Sequence, residues 1–398
     1  MQCLFLLGRQ PALGLAELES LYGGASITPI GAPVTAALVD IDSKRVDFDR
    51  LGGSVKFAVV LATLPGTDWR SIEQYLIKAA ATIGATTPEG KIQLGLSAYG
   101  LRISTSQLLA TGLTLKKALK SVGRSVRLIP NKDIELNSAS VLHNHLTGDT
   151  GCEFIIFRSG SVTIIARTLH VQDIEAYTVR DRERPKRDAR IGMLPPKLAQ
   201  IIINLAAGLT KPLDRAGTIL DPFCGTGVVL QEALLMGYGA YGSDLEPRMI
   251  EYTDLNLEWL TANFASKPPI TTEIADATSH TWGPIYSSLA CETYLGRPFT
   301  SSPDAEILAQ TISECNLIIS KFLRNLRPQL PAGFRLCVAI PSWNSGNGEF
   351  KRLPLIDSLA ELGYNHISFK HARTNDLIYH RADQIVAREL LVLQKLAN

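Results

Sequence analysis

No run in the 398-residue sequence approaches the roughly 18 apolar residues that cross a bilayer, which argues against a membrane-embedded protein. The apolar opening Met1-Gln2-Cys3-Leu4-Phe5-Leu6-Leu7 has no basic flank, and Arg9 interrupts it before a signal-peptide core can form. It reads as a first strand, and the cytoplasm is the expected compartment. The six cysteines (Cys3, Cys152, Cys224, Cys291, Cys315, Cys337) include no C-x-x-C pair and no histidines at zinc-ligand spacing. Incidental buried thiols are expected there, and no metal. The phosphate loop G-x-x-x-x-G-K-[ST] is absent, and the glycine turn at Gly225 and Gly227 does not have the G-x-G-x-x-G spacing, which disfavours phosphate and dinucleotide ligands there. Internal repeats and low-complexity segments are also missing. Net charge is only +2, too little to announce a nucleic-acid partner by itself.

Apolar residues make up 45% and charged residues 20%, the balance of a folded globular chain. At roughly 100–200 residues per domain, this length predicts two or three units. Charge is unevenly spread: residues 101–132 hold seven basic side chains and no acidic one. Within them, Leu115, Leu119 and Val122 recur at helical spacing opposite Lys116, Lys117 and Lys120, predicting a helix over 113–122 with a cationic face. Strands are predicted at 91–99, 125–129, 153–157 and 161–166, giving an α+β region up to about residue 171. The run Arg180-Asp181-Arg182-Glu183-Arg184-Pro185-Lys186-Arg187-Asp188 has little apolar content and reads as a linker over 172–192. A solvated connector and an arginine-rich strap along an RNA backbone both remain open for it.

After this run, Leu194-Pro195-Pro196-Lys197 opens a helix whose stripe is Leu198, Ile201, Ile202 and Leu205. Strand candidates at 218–221, 239–243, 287–291 and 335–340 then alternate with helical segments at 228–236, 248–262 and 305–326. Such alternation predicts a parallel sheet covered by helices on both faces. The string Asp221-Pro222-Phe223-Cys224-Gly225-Thr226-Gly227 is a strand ending in an acid and a glycine turn, with a helix directly behind it. Its glycines allow a tight turn and close approach by a ligand, and the helix start presents N–H groups beside it. Gly239-Ala240-Tyr241-Gly242-Ser243-Asp244 closes a second strand on a carboxylate about 20 positions later, the offset for accepting from ribose hydroxyls; Leu245 follows it. Asp276, before Ala277, falls at the end of a third strand, either near an adenine amino group or as a solvated turn residue.

These strings, with the block from Arg180 through Gly192-Met193-Leu194-Pro195-Pro196-Lys197-Leu198-Ala199-Gln200, resemble the THUMP-domain tRNA guanosine-N2 methyltransferases, which modify guanosine in the D-arm region. The closing stretch Ile378-Tyr379-His380-Arg381-Ala382-Asp383-Gln384-Ile385-Val386-Ala387-Arg388-Glu389 looks like that family's C-terminal hairpin. The resemblance covers most of the chain, weakest in the first 90 residues. It implies a Rossmann-like class I methyltransferase domain at 193–398, a mostly parallel seven-stranded sheet with a C-terminal antiparallel hairpin. Ahead of it would stand a ferredoxin-like segment (1–60), a THUMP-like tRNA-binding domain (61–171) and the charged linker. S-adenosyl-L-methionine is the implied donor, held by Asp221, Phe223, Cys224, Gly225, Thr226, Gly227, Asp244, Leu245, Asp276 and Ala277. tRNA would be gripped by Lys116, Lys117, Lys120, Arg124, Arg127, Arg182, Arg184 and Arg187. A monomer is expected, with the identity of any small activating subunit left open.

One departure bears on catalysis. Family members carry an Asp/Asn-Pro-Pro-Tyr tetrad after the fourth strand, whereas this chain reads Cys291-Glu292-Thr293-Tyr294-Leu295-Gly296-Arg297-Pro298. Glu292 can accept a hydrogen bond from guanine's amine, and Tyr294 can stack on an extruded base. The competing readings are a tRNA-binding protein with a decayed tetrad, and a DNA adenine amino-methyltransferase. The latter gives no reason for the basic N-terminal half. Pro341-Ser342-Trp343 is a further candidate for the pocket wall, with plain packing the alternative for Trp343.

Overall fold

The apolar start of the chain does form a strand, and it lies in the interior of a sheet. The computed structural model describes residues 2–188, 193–208, 217–264, 269–283, 286–299, 301–346, 348–381 and 384–397. They part into two compact units: 1–11, 25–49 and 54–176 in the first, and 12–24, 50–53 and 177–398 in the second.

The first unit holds one eight-stranded sheet ordered β2-β3-β1-β4-β8-β7-β5-β6. Its strands are β1 (Gln2–Leu7), β2 (Ile27–Ile30), β3 (Ala36–Asp40), β4 (Ser54–Pro65), β5 (Ile92–Tyr99), β6 (Val126–Leu128), β7 (Gly151–Ser159) and β8 (Val162–Val171). The boundary expected between residues 60 and 61 falls inside β4. That strand pairs with β1 on one side and β8 on the other, so no break divides the sheet there. Helix Thr105–Ser121 begins eight residues before the predicted 113, because Ser104 caps it by accepting from the Gln107 N–H at 3.1 Å. Its buried stripe is Leu108, Thr111, Gly112, Leu115 and Leu119; Val122, expected on that stripe, is 49% exposed at the C-cap.

In the second unit a seven-strand path runs β11-β10-β9-β12-β13-β17-β15, with β14 on β13 and β16 on β17. The strands are β9 (Thr218–Asp221), β10 (Gly239–Asp244), β11 (Ile270–Ile274), β12 (Ser288–Glu292), β13 (Arg335–Gly346), β14 (Glu349–Lys351), β15 (Tyr364–His366), β16 (Ile378–Tyr379) and β17 (Val386–Lys395). The first five strands of the path are parallel, while β17 runs antiparallel to β13 and β15 to β17. The chain moves outward from β9 through β10 to β11, then returns to place β12 on β9's other side. A crevice therefore opens where β9 and β12 end, the position at which open α/β sheets bind ligands.

Helix Pro11–Tyr22 belongs to this second unit from Ala12 onward. Its Glu17 is fully buried and accepts from the Gly52 N–H (3.0 Å), the Gly53 N–H (2.8 Å) and Asn204 Nδ2 (2.8 Å). Burial outweighs these donors and pushes its carboxyl up to about 7. The expected linker is also structured. Residues Ile174–Arg182 form a helix, and Arg180 pairs with buried Glu232 at 2.8 Å. Asn256 holds the Lys186 backbone from both sides, at 2.9 and 3.0 Å. Part of the run is thus tied into the unit through Arg180 and the Lys186 backbone, while Arg182, Glu183 and Arg187 stay exposed; residues 189–192, Gly192 among them, lie outside the described residues.

Candidate active site

At the end of β9 the buried Asp221 accepts from the Phe223 N–H at 3.1 Å. The turn that follows needs its glycines: φ is +53° at Gly225 and +80° at Gly227, left-handed values that side-chain-bearing residues rarely adopt. A Cβ at Gly225 would meet no atom within 4 Å, whereas one at Gly227 would come within 3.0 Å of Thr253. Thr253 in turn donates its hydroxyl to the Gly225 carbonyl at 2.8 Å. Gly227 then starts helix Val228–Leu235.

Asp244, at the end of β10, accepts from the Gly225 N–H (2.9 Å) and the Glu246 N–H (3.0 Å), so it ties the glycine turn to the neighbouring strand. Asp276 accepts from both the N–H and the hydroxyl of Thr278, each at 2.8 Å, as a turn residue would. It nonetheless borders the same cavity as the other candidates. That cavity, about 730 Å³, is lined by Asp221, Phe223, Cys224, Gly225, Thr226, Asp244, Leu245, Asp276 and Ala277, and by Glu292 and Tyr294. Gly227 shapes the turn without lining it. Leu245 is 62% and Tyr294 40% exposed, apolar surface at the cavity that a planar ligand can cover.

Glu292 ends β12 beside Asp221, with Leu289 of β12 opposite Leu220 of β9. Burial pushes both carboxyls up: Asp221 stands well above the usual range, raised further by Asp244 and Glu292, while Arg388 opposes the rise at Glu292. Arg388 Nε donates to Glu292 Oε1 at 2.7 Å. The departure from the tetrad is an ordered turn: Thr293 donates its N–H and hydroxyl to the Ala339 carbonyl (2.9 and 3.1 Å). Gly296 has φ +84°, and a Cβ there would lie 2.6 Å from Thr311 Cγ2, so the turn packs tightly on helix Ala305–Leu326.

The cationic candidates divide. Lys117, Lys120 and Arg127 are exposed and Lys116 half-buried in the first unit, and Arg182 and Arg187 are exposed in the second. Two expectations are corrected. Arg124 gives its guanidinium to the Thr87 carbonyl (2.8 Å) and the Pro88 carbonyl, closing the end of helix Trp69–Thr86. Arg184 is only 2% exposed, held among Met193 and the field of Glu232, where no RNA backbone reaches it. Trp343 is 1% exposed in the core and does not line the cavity. Sequence reasoning assigned no role to Arg388, although it lies in the quoted C-terminal stretch. It also missed Arg297, Leu317 and Lys321, which line the cavity; an amphipathic pattern over 305–326 was the available signal for the last two. Among the described residues no helix is long and apolar enough to cross a membrane, and no group of His, Cys, Asp and Glu is arranged to hold a metal. Ala382 and Asp383 lie outside the described residues.

No family model matches the chain. It is 49% identical over 67 residues, 17% of its length, to the tRNA (guanine(10)-N2)-dimethyltransferase of Methanothermobacter thermautotrophicus, covering 18% of that protein. To the enzyme of the same name from Methanocaldococcus jannaschii it is 30% identical over 139 residues, 35% of each chain. The chain thus matches about a third or less of these curated relatives' length. The crystal structure of TrmN from Thermus thermophilus superposes with a TM-score of 0.50 at 16% identity, over 100% of both chains. That likeness concerns the fold alone, a Rossmann-like class I methyltransferase sheet preceded by an α+β region, as the sequence predicts. The relatives bear out the resemblance to tRNA guanosine-N2 methyltransferases.

Proposed function

We propose that this chain transfers a methyl group from S-adenosyl-L-methionine to the exocyclic 2-amino group of a guanosine in the D-arm region of tRNA, with position 10, named for the curated relatives, as the target. One observation carries the reading: a single cavity of about 730 Å³ is bordered both by the glycine turn after β9 and by Glu292 and Tyr294 after β12. A donor site and an acceptor site thereby share one space.

The residues present fit the donor. Open space lies above Gly225, Asp244 stands at the ribose position, and Val228, Val229, Met249 and Leu245 supply apolar wall beside Asp276 and Ala277. The carboxyls of Asp221, Asp244 and Glu292 line the cavity, and a sulfonium cation bound there would favour their ionised forms. When bound, the donor supplies an electrophilic methyl group. Guanine's amine is a weak nucleophile because its lone pair is delocalised into the ring. Glu292 accepts a hydrogen bond from that amine and aims its lone pair; as the N–CH3 bond forms and the methyl–sulfur bond breaks, the nitrogen becomes cationic and Glu292 takes the proton it releases. Tyr294 stacks on the base after its extrusion from the RNA.

Lys116, Lys117, Lys120 and Arg127 of the first unit, read as THUMP-type, and Arg182 and Arg187 hold phosphates, which position the RNA without reading its sequence. The chain acts as a monomer in the cytoplasm. The test is incubation with methyl-labelled donor and tRNA transcripts carrying guanosine or inosine at position 10, with duplex DNA as a third arm. Label is expected in N2-methylated guanosine and not in the inosine transcript, which lacks the amine. Label in inosine-containing tRNA or in DNA, or none anywhere, overturns the reading.

A further inference from the structure

We infer that Arg388 is a positioning residue for methyl transfer, clamping one oxygen of Glu292 so that the other faces the cavity where the guanine amine must sit. The inference rests on the proposed function for its chemistry, but its geometry stands alone. Glu292 ends β12 and Arg388 sits on β17, with β13 between them: Glu292 is level with Ala339, and Arg388 is opposite Pro341. The arginine therefore reaches across a whole strand to make its 2.7 Å contact. It is 3% exposed, and its Nη1 lies 3.4 Å from Gln384 Oε1. Glu292 retains 15% side-chain exposure and lines the cavity, and no hydrogen bond from the described residues reaches its second oxygen.

Two consequences follow from that arrangement. A carboxylate fixed through one oxygen presents the other in a set direction, and the backbone behind it is fixed as well by the two bonds from Thr293 to Ala339. The charge environment gives the second. Asp221 of β9 and the Cys291 thiol lie beside Glu292, and burial pushes its carboxyl toward the protonated form, in which one oxygen is a donor instead of an acceptor. The cation of the helix packed on β12 and β13 is Lys197, whose ammonium lies 4.9 Å over the Tyr177 ring instead. Arg388 is the cation that opposes this rise and favours the ionised form of Glu292. In the family's Asp/Asn-Pro-Pro-Tyr turn, prolines stiffen the backbone that carries the acceptor. Here the side chain itself is held.

The test uses full-length Arg388→Met, Arg388→Lys and Glu292→Gln. Arg388→Met is expected to lower kcat about 100-fold with the KM for tRNA within about threefold, and to move the acidic limb of the pH–rate profile up by about one unit. Arg388→Lys recovers part of both, and the double variant with Glu292→Gln is no slower than Glu292→Gln alone. In parallel, 13C-carboxyl NMR of glutamate-labelled protein, assigned through Glu292→Gln, follows the Glu292 titration without turnover. Its midpoint is expected to rise in Arg388→Met, or in Arg388→Lys should the methionine variant not fold. An unchanged midpoint, or an unchanged kcat and acidic limb, overturns the inference. Absence of methyl transfer by the wild-type chain would instead remove the functional reading, with the NMR titration still deciding the clamp.

Discussion

Alanine at Gly225 and alanine at Gly227 should fail in opposite ways, and the contrast tests where the donor lies. Both positions are left-handed, at +53° and +80°, so each substitution carries a backbone penalty of about 1–2 kcal/mol. At Gly227 the new methyl also lies within 3.0 Å of Thr253 Oγ1, the atom that donates to the Gly225 carbonyl. Displacing it forfeits a hydrogen bond of about 1 kcal/mol, so Gly227→Ala totals about 2–3 kcal/mol. A domain of this size loses about 2–4 °C of Tm per kcal/mol, which separates the two variants calorimetrically. At Gly225 no protein atom lies within 4 Å of the new methyl, because the space is the cavity's. Gly225→Ala should therefore melt above Gly227→Ala yet bind S-adenosylhomocysteine at least tenfold more weakly than wild type, a loss of about 1.4 kcal/mol or more. Isothermal titration of both variants decides it. Wild-type affinity in Gly225→Ala would show that the donor does not lie against this turn, and the site assignment would fall.

Glu292→Ala should lower methyl transfer about 100-fold or more while leaving S-adenosylhomocysteine binding within a few-fold of wild type, measured by single-turnover labelling and calorimetry. Tyr294→Ala should weaken productive tRNA binding by the roughly 1–3 kcal/mol of a base–aromatic stack, read as a rise in KM. Lys117→Ala and Lys120→Ala should each reduce the slope of log affinity against log salt by about one, with no change in donor affinity; an unaltered slope removes that lysine from the RNA surface. Glu17 titrates at about 7 when folded against 4.5 when unfolded, so the folded state binds the proton more tightly. Its contribution is present below pH 4.5 and lost as pH rises through 7, by up to about 3 kcal/mol. Melts at pH 5.5 and 8 should show wild type losing stability on the alkaline side and Glu17→Gln losing less; parallel curves would refute this.

The parts of the fold legible in the sequence were those whose pattern is set by burial along one element. Thr218–Asp221 and Ala305–Leu326 coincide with their predicted spans, the first because the apolar pair Ile219-Leu220 runs directly into Asp221 and the glycine turn, the second because Asp304 caps a long amphipathic run. Thr105–Ser121 was only half legible because its buried stripe passes through Thr111 and Gly112, which carry no apolar signal. Gly112 lets the Leu128 side chain pack close, its Cδ1 lying 2.8 Å from where a Cβ would stand, a fact about packing rather than pattern. Ile174–Arg182 was illegible as a helix, since it has no buried residue of its own and is anchored by Arg180 on Glu232, 52 positions away.

The candidate site divides along the same line. The donor half was readable because a glycine turn, an acid and a following helix are consecutive, and their geometry is dictated locally by positive φ at Gly225 and Gly227. The acceptor half was readable only as residue types. A carboxylate at a buried strand end requires a cation, since an isolated buried charge is expensive, but 40 lysines and arginines compete for that part in the sequence. Arg388 lies 96 positions from Glu292, and only the strand order β12-β13-β17 with the antiparallel register of the last strand brings the two together. Shifting that register by one residue would turn Arg388 to the opposite face and present Ala387 or Glu389 to Glu292, leaving the acid uncompensated or repelled. The pairing of β17 with β13 is therefore a condition on catalysis as well as on the sheet.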